Sequence, residues 1–162
     1  TTEPKIKDTK LTKGYTHVTY FPDFKQFGLD GYTDDIIKLY TKYVIDAAML
    51  TKVKVYLNDE LIPVNNLVSY SKLYDSPTQE SLLIKNTHSE VLITPSSGEF
   101  QAISFVNGVY TRLGGQHVDA FSEALFRPLV DKFNKKGKPQ ITIKDVKQFF
   151  RIFVSSTVIN PE

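Results

Sequence analysis

Cysteine is absent from the 162 residues. That excludes a disulfide staple, a thiolate nucleophile, a Cys-ligated zinc and an iron–sulfur site, while leaving the redox compartment open. Long apolar runs are also missing. Stretches such as Phe149–Val154 break off within a few residues, far short of the ~18 needed to span a bilayer. The start, Thr1-Thr2-Glu3-Pro4-Lys5, has no apolar core of the kind a signal peptide carries, and without an initial Met it reads as a piece of a longer protein. Charge of one sign is lacking too. Twenty Lys and Arg against 18 Asp and Glu leave +2, too mild to argue for a polyanion partner, so any electrostatic argument must be local. What is present, 41% hydrophobic and 23% charged residues, is a globular composition in a chain long enough to bury about 70% of its unfolded surface as one domain.

Residues 1–13 are polar and Lys-rich. Tyr15–Phe21 is β-branched and aromatic up to Pro22, which predicts a strand. Asp30 or Thr33 can cap a helix over 34–49, whose Ile36, Ile37, Tyr40, Tyr43, Val44, Ala47 and Ala48 recur at helical spacing and predict one buried face. Lys52–Leu57 alternates and is followed by Asn58-Asp59-Glu60 and Leu61-Ile62, the pattern of a hairpin. A short helix over Leu67–Leu73 and extended runs at Ser81–Asn86, Glu90–Thr94 and Phe100–Val106 predict a meander in the middle of the chain. Val118, Phe121, Leu125 and Leu129 form a stripe predicting a long helix over 118–134, with a kink at Pro128. Thr142 and Asp145 have capping-box spacing ahead of a short helix to Phe149, and Arg151–Ile159 closes the chain as a strand.

Catalytic chemistry finds little footing. His17, His88 and His117 stand on different elements without metal-ligand spacing, and structural roles suit each better. Asp34-Asp35 falls in the first turn of a helix, where it complements the dipole. Gly114-Gly115 precedes a helix and could offer N–H groups to a phosphate, but lacks the spacing of any nucleotide fingerprint. The basic stretch is more telling. Lys132, Lys135, Lys136, Lys138, Lys144 and Lys147 lie within sixteen residues opposed by Asp145 alone, a local excess of five positive charges. Lysines at a helix C-terminus also stabilise its dipole, so a solvated helix end and phosphate contact stand level. The Asn134–Lys138 loop would recognise backbone phosphates, not bases.

Five strings in order carry a resemblance: Tyr15-Thr16-His17-Val18-Thr19-Tyr20-Phe21-Pro22-Asp23-Phe24-Lys25-Gln26-Phe27, Val53–Asn58, Gln101–Gly108, Gly114-Gly115-Gln116-His117-Val118 and Ile159-Asn160-Pro161. Together they resemble the transducer domain of type IIA DNA topoisomerases of the eukaryotic type, over nearly the whole chain. Gly108–Arg112 and Pro128 differ from the cellular pattern and are similar to what a diverged enzyme of a large DNA virus would carry. The resemblance implies an α+β fold: a mixed β-sheet with helices on one face, like ribosomal protein S5 domain 2, with a left-handed β-α-β crossover where the general rule would give a right-handed one. It implies a leading linker, residues 1–14, from an upstream GHKL ATPase domain, then a single transducer domain over 15–162 and a downstream cleavage core.

The same resemblance implies that ATP and Mg2+ are bound mainly by domains outside this chain, that no catalytic residue lies within it, and that the parent enzyme is a homodimer passing one DNA duplex through another. The family's lysine cluster for DNA contact falls on Asn134, Lys135 and Lys136, with Asn in its first position, so the expected DNA-binding residues are Lys135, Lys136 and Lys138. Gly114, Gly115 and His117, with Asn160 and Pro161, are expected to be structural motifs. The parent would work in the nucleus if cellular, or in host cytoplasm or nucleus if viral, with no membrane partner. Rival readings are the second domain of a MutL-type mismatch-repair ATPase, which shares a motif like Phe105-Val106-Asn107-Gly108, and a standalone S5-like nucleic-acid-binding module.

Overall fold

A computed structural model of the chain describes residues 3–10, 12–74, 80–135 and 140–159. They divide into two compact units, residues 1–37 and residues 38–162.

In the first unit Tyr15–Phe21 forms no strand, contrary to the reading from its composition. A strand exists only as part of a ladder, and this segment has no ladder partner among the described residues, which leaves Tyr15, Val18, Tyr20 and Phe21 exposed. A 3-10 turn over Phe24–Phe27 follows, with Phe24 edge-on to Tyr32 at 4.8 Å between ring centroids. Thr33 caps helix α1 (Asp34–Thr51), its Oγ1 accepting from the Ile36 amide at 3.3 Å. Asp34 and Asp35 lie in its first turn, where their charge opposes the positive helix end.

The second unit continues α1 and adds a small hairpin, β1 (Tyr56–Leu57) and β2 (Glu60–Leu61). Asn58 and Asp59 both have positive φ, 50° and 65°, as a tight two-residue hairpin turn requires. Helix α2 (Leu67–Ser71) opens on a capping box in which Asn66 Oδ1 accepts from the Ser69 amide at 2.8 Å. Strands β3 (Leu82–Lys85), β4 (Ser89–Pro95), β5 (Gln101–Val106), β6 (Val109–Tyr110) and β7 (Phe150–Ser156) build one sheet in the order β3-β4-β7-β5-β6. Between β6 and β7 the chain runs through helix α3 (Gln116–Asn134) and the short helix α4 (Ile143–Lys147).

The sheet is mixed. β7 pairs antiparallel with β4 and parallel with β5, so it separates two strands expected to be neighbours in a meander. The composition of β7 explains its place: Ile152, Phe153 and Val154 are all 0% exposed, the continuous apolar run that a strand buried on both faces needs.

The α+β class and the mixed sheet agree with the expectation from the sequence. The gathering of helices on one face does not. Residue alternation along the strands sends Leu92, Ile103, Phe105 and Phe153 to one side, where they meet Met49 of α1 and Leu67 and Tyr70 of α2. Val91, Ile93, Ile152 and Val154 face the other side and meet Val118 and Phe126 of α3, with Ile143 and Val146 of α4 at the margin. Both faces are apolar, so both require cover. Each fully buried Leu, Ile, Val or Phe side chain contributes about 1.5–3 kcal/mol.

Helix α3 runs unbroken through Pro128. The stripe expected to form the one buried face of α1 is corrected. Its buried residues are Asp46, Ala48 and Met49, whereas Ile37, Tyr40 and Tyr43 are exposed.

Candidate functional site

The basic end of α3 is built from the helix outward. Lys132 lies in the last turn and Lys135 at the C-cap, where the Lys135 amide donates to the Asp131 carbonyl at 3.3 Å. Both side chains are exposed and both complement the negative end of the helix dipole. Lys136 and Lys138 lie outside the described residues.

Asn134, at the C-terminal end of the same helix, has a defined job. Its Nδ2 donates to the Ile141 carbonyl at 3.1 Å, and its Oδ1 accepts from the Ile141 amide at 2.9 Å. One amide side chain thus mimics a backbone ladder pair and clasps the two ends of the basic loop. Beyond it, Thr142 caps α4. The Asp145 carboxylate accepts from the Thr142 amide at 2.8 Å and from its hydroxyl at 2.6 Å, and these bonds hold it below the usual carboxylate range. Lys144 is exposed. Lys147 is turned inward, its Nζ 4.6 Å from the centroid of the Phe100 ring, so it presents less charge to solvent than the sequence count suggests.

The Gly-Gly-x-His motif makes the bend into α3. Gly114 and Gly115 have φ of 73° and 145°, values that L side chains rarely adopt, and the Gly115 carbonyl accepts the Val118 amide at 2.9 Å to start the helix. A Cβ on Gly115 would lie 3.2 Å from His117 Nδ1. His117 Nε2 is 3.4 Å from Thr111 Oγ1, which in turn donates to the Ser104 carbonyl at 2.9 Å on the central sheet. Burial pushes the His117 imidazole below its ordinary pKa, with Asp119 acting in the opposite direction. Asn160 and Pro161 lie outside the described residues. Nearby, Asn107 Oδ1 accepts from the Val158 amide at 2.9 Å and Nδ2 donates to the Val158 carbonyl at 2.9 Å, so the β5–β6 turn holds the segment that leads to them.

A second polar cluster was invisible to helical periodicity. Asp46, 6% exposed, accepts from Tyr70 Oη at 2.6 Å and from Lys42 Nζ at 2.5 Å. Tyr70 Oη is also 3.3 Å from Tyr74 Oη, and the Lys42 ammonium sits 3.9 Å from the centroid of the Tyr110 ring. Burial, then the bond to Asp46, pushes the Tyr70 phenol well above its ordinary range and keeps it a donor. Tyr70 packs edge-on against Phe105 and Phe153, so the cluster is rooted in the core. The one available signal in the sequence was an acid, Asp46, flanked by Ile45 and Ala47 in the apolar part of α1.

Among the described residues, no group of three or more His, Cys, Asp or Glu side chains could hold a metal ion. No helix among them is long and apolar enough to cross a membrane.

The clasped basic loop, the glycine bend into a long helix and the two-faced mixed sheet define a structural class, and sequence comparison gives it a family. The chain belongs to the DNA gyrase B family, whose model matches residues 36–162. It is 38% identical to DNA topoisomerase 2 of Invertebrate iridescent virus 6 across 100% of this chain, and spans 15% of the length of that relative. The ATPase region of Saccharomyces cerevisiae topoisomerase II superposes with a TM-score of 0.76 at 27% identity, covering 87% of this chain and 37% of that one. The ATPase and transducer domains of topoisomerase II from Balamuthia mandrillaris give a TM-score of 0.70 at 27% identity, covering 79% of this chain and 33% of that one. The resemblance to type IIA topoisomerases of the eukaryotic type is thereby established, and viral enzymes are among the relatives.

Proposed function

We propose that this region is the transducer of an ATP-dependent type IIA DNA topoisomerase and couples nucleotide state in an adjoining GHKL domain to passage of a DNA duplex. The observation that carries the reading is likeness along the whole chain to proteins named DNA topoisomerase 2. Residues 1–14 form the link from the upstream domain, and 15–162 the transducer. ATP and Mg2+ are held mainly by the upstream domain, and DNA is cut by a downstream core. Two copies in a homodimer line the cavity through which the duplex travels, in the nucleus of a cell or in the nucleus or cytoplasm of a virus's host.

A ligand shifts only an equilibrium to which it binds unequally. For ATP to move DNA, two placements of the upstream domain must therefore differ in free energy with the nucleotide bound, and the transducer must be stiff enough to carry the difference. The two-faced core supports stiffness. The joints are the leading segment Lys5–Gly14 and the chain beyond Asn160-Pro161, while Gly114, Gly115 and His117 fix the start of the long helix.

Lys135, Lys136 and Lys138 face the passing duplex in this reading. If they meet ~3 phosphates, replacing all three with Ala in the full-length enzyme reduces the log–log salt slope of DNA binding by about 2.7 and lowers DNA-stimulated ATP hydrolysis. Unchanged slope and unchanged stimulation would remove the loop from the mechanism.

A further inference from the structure

Helix α1 is the stretch of chain that leads from residues 1–37 into residues 38–162. Of its 18 residues, the buried ones are Asp46, Ala48 and Met49, all near its C-terminal end. Ala48 and Met49 make apolar contacts, which are non-directional and tolerate a helix rolling or sliding on the sheet. Asp46 is different. Its carboxylate takes one hydrogen bond from Tyr70, 24 residues away on α2, and one from Lys42 on its own helix, whose ammonium rests on the ring of Tyr110 in β6. These bonds have direction and length, so they fix both rotation and axial register of α1 against α2 and the sheet edge. The Tyr70 ring is buried and packs edge-on against Phe105 and Phe153, so the anchor point is itself part of the core.

We infer that Asp46 is a positioning residue for energy coupling: through Tyr70 and Lys42 it locks the C-terminal end of α1 to the sheet, so that displacement arriving along α1 moves the sheet as a body instead of being lost in helix slippage. This rests on the transducer reading above. Asp46 touches neither nucleotide nor DNA in this scheme, and its loss leaves both sites intact.

The test uses the full-length enzyme and counts strand passages per ATP hydrolysed. Asp46→Asn keeps the shape and removes the charge that holds Lys42. Tyr70→Phe keeps the ring and removes the donor, and serves alone if Asp46→Asn does not accumulate as folded protein. Met49→Ala is the matched control, since it weakens the same core without touching the directional bonds. The expected result is DNA-independent ATP hydrolysis within about two-fold of the parent in all three, with passages per ATP falling at least about five-fold in Asp46→Asn and Tyr70→Phe but not in Met49→Ala. A merely structural role would instead lower thermal stability in all three and leave passages per ATP alike, and that outcome overturns the inference while leaving the transducer reading in place. A parent enzyme whose strand passage does not depend on ATP overturns both.

Discussion

Gly115 and His117 show how much a single position can carry at the start of α3. Gly115→Ala must place a side chain at a φ of 145° and push a Cβ to 3.2 Å from the His117 ring, so we expect a loss of about 1–3 kcal/mol in denaturant unfolding. His117 adds a pH dependence with a definite sign. Its folded pKa lies below the ordinary 6.5, because burial disfavours the imidazolium. The unfolded chain therefore takes the proton first. The contribution of His117 is complete above pH 6.5 and is lost as pH falls through the lower folded value. His117→Gln should flatten the difference in unfolding midpoint between pH 8 and pH 5; a variant as pH-sensitive as the parent would contradict this. Residue-scale roles were partly legible. A paired glycine before a helical stripe marks a turn in any sequence. Asn134 gave no such signal, because its partner Ile141 is seven residues on and no local sequence pattern marks a side-chain pairing at that separation. Asp46 was hidden for a related reason: its partner Tyr70 lies on another helix.

Elements were legible where local pattern and tertiary demand agree. Helices α1 and α3, the Thr142–Asp145 capping box and the Asn58-Asp59 turn all appear close to where their sequences place them, although the buried residues of α1 are not its predicted stripe. Failures came where a partner decides. Tyr15–Phe21 has the composition of a strand but no ladder among the described residues, and β4 and β5 look consecutive until β7 arrives between them. Strand order is set by which run can bear burial on both faces, and Ile152-Phe153-Val154 is such a run. Phe153→Ala should accordingly cost about 3–5 kcal/mol, because it empties the position that Tyr70 and Tyr74 pack against, at 6.4 and 5.4 Å between ring centroids. A loss below 1 kcal/mol by chemical denaturation would mean that β7 is not the central strand. The α3–α4 connection is tested by Asn134→Ala, which forfeits two hydrogen bonds and about 1–3 kcal/mol. If the clasp shapes the basic loop, the variant should also weaken DNA binding in the full-length enzyme and reduce its salt slope, because displaced lysines meet fewer phosphates.

For the whole molecule, the sequence motifs told family before fold, and the fold then corrected the detail of where helices lie. Helices on both faces make the body harder to bend than a two-layer sheet would be, because each face is braced by buried apolar contacts. That stiffness is what coupling requires. The absence of cysteine from these 162 residues makes it measurable, since thiols can be introduced at chosen positions in a cysteine-depleted full-length enzyme. Leu113 and Val53 are 97% and 62% exposed, suited to carry labels without disturbing the core. The decisive measurement is a pair of single-molecule distances, one between Leu113→Cys and the upstream ATPase domain, the other between Leu113→Cys and Val53→Cys. A non-hydrolysable ATP analogue should change the first and leave the second fixed. An unchanged first distance, or a second that shifts as far as the first, would contradict a rigid body that relays nucleotide state.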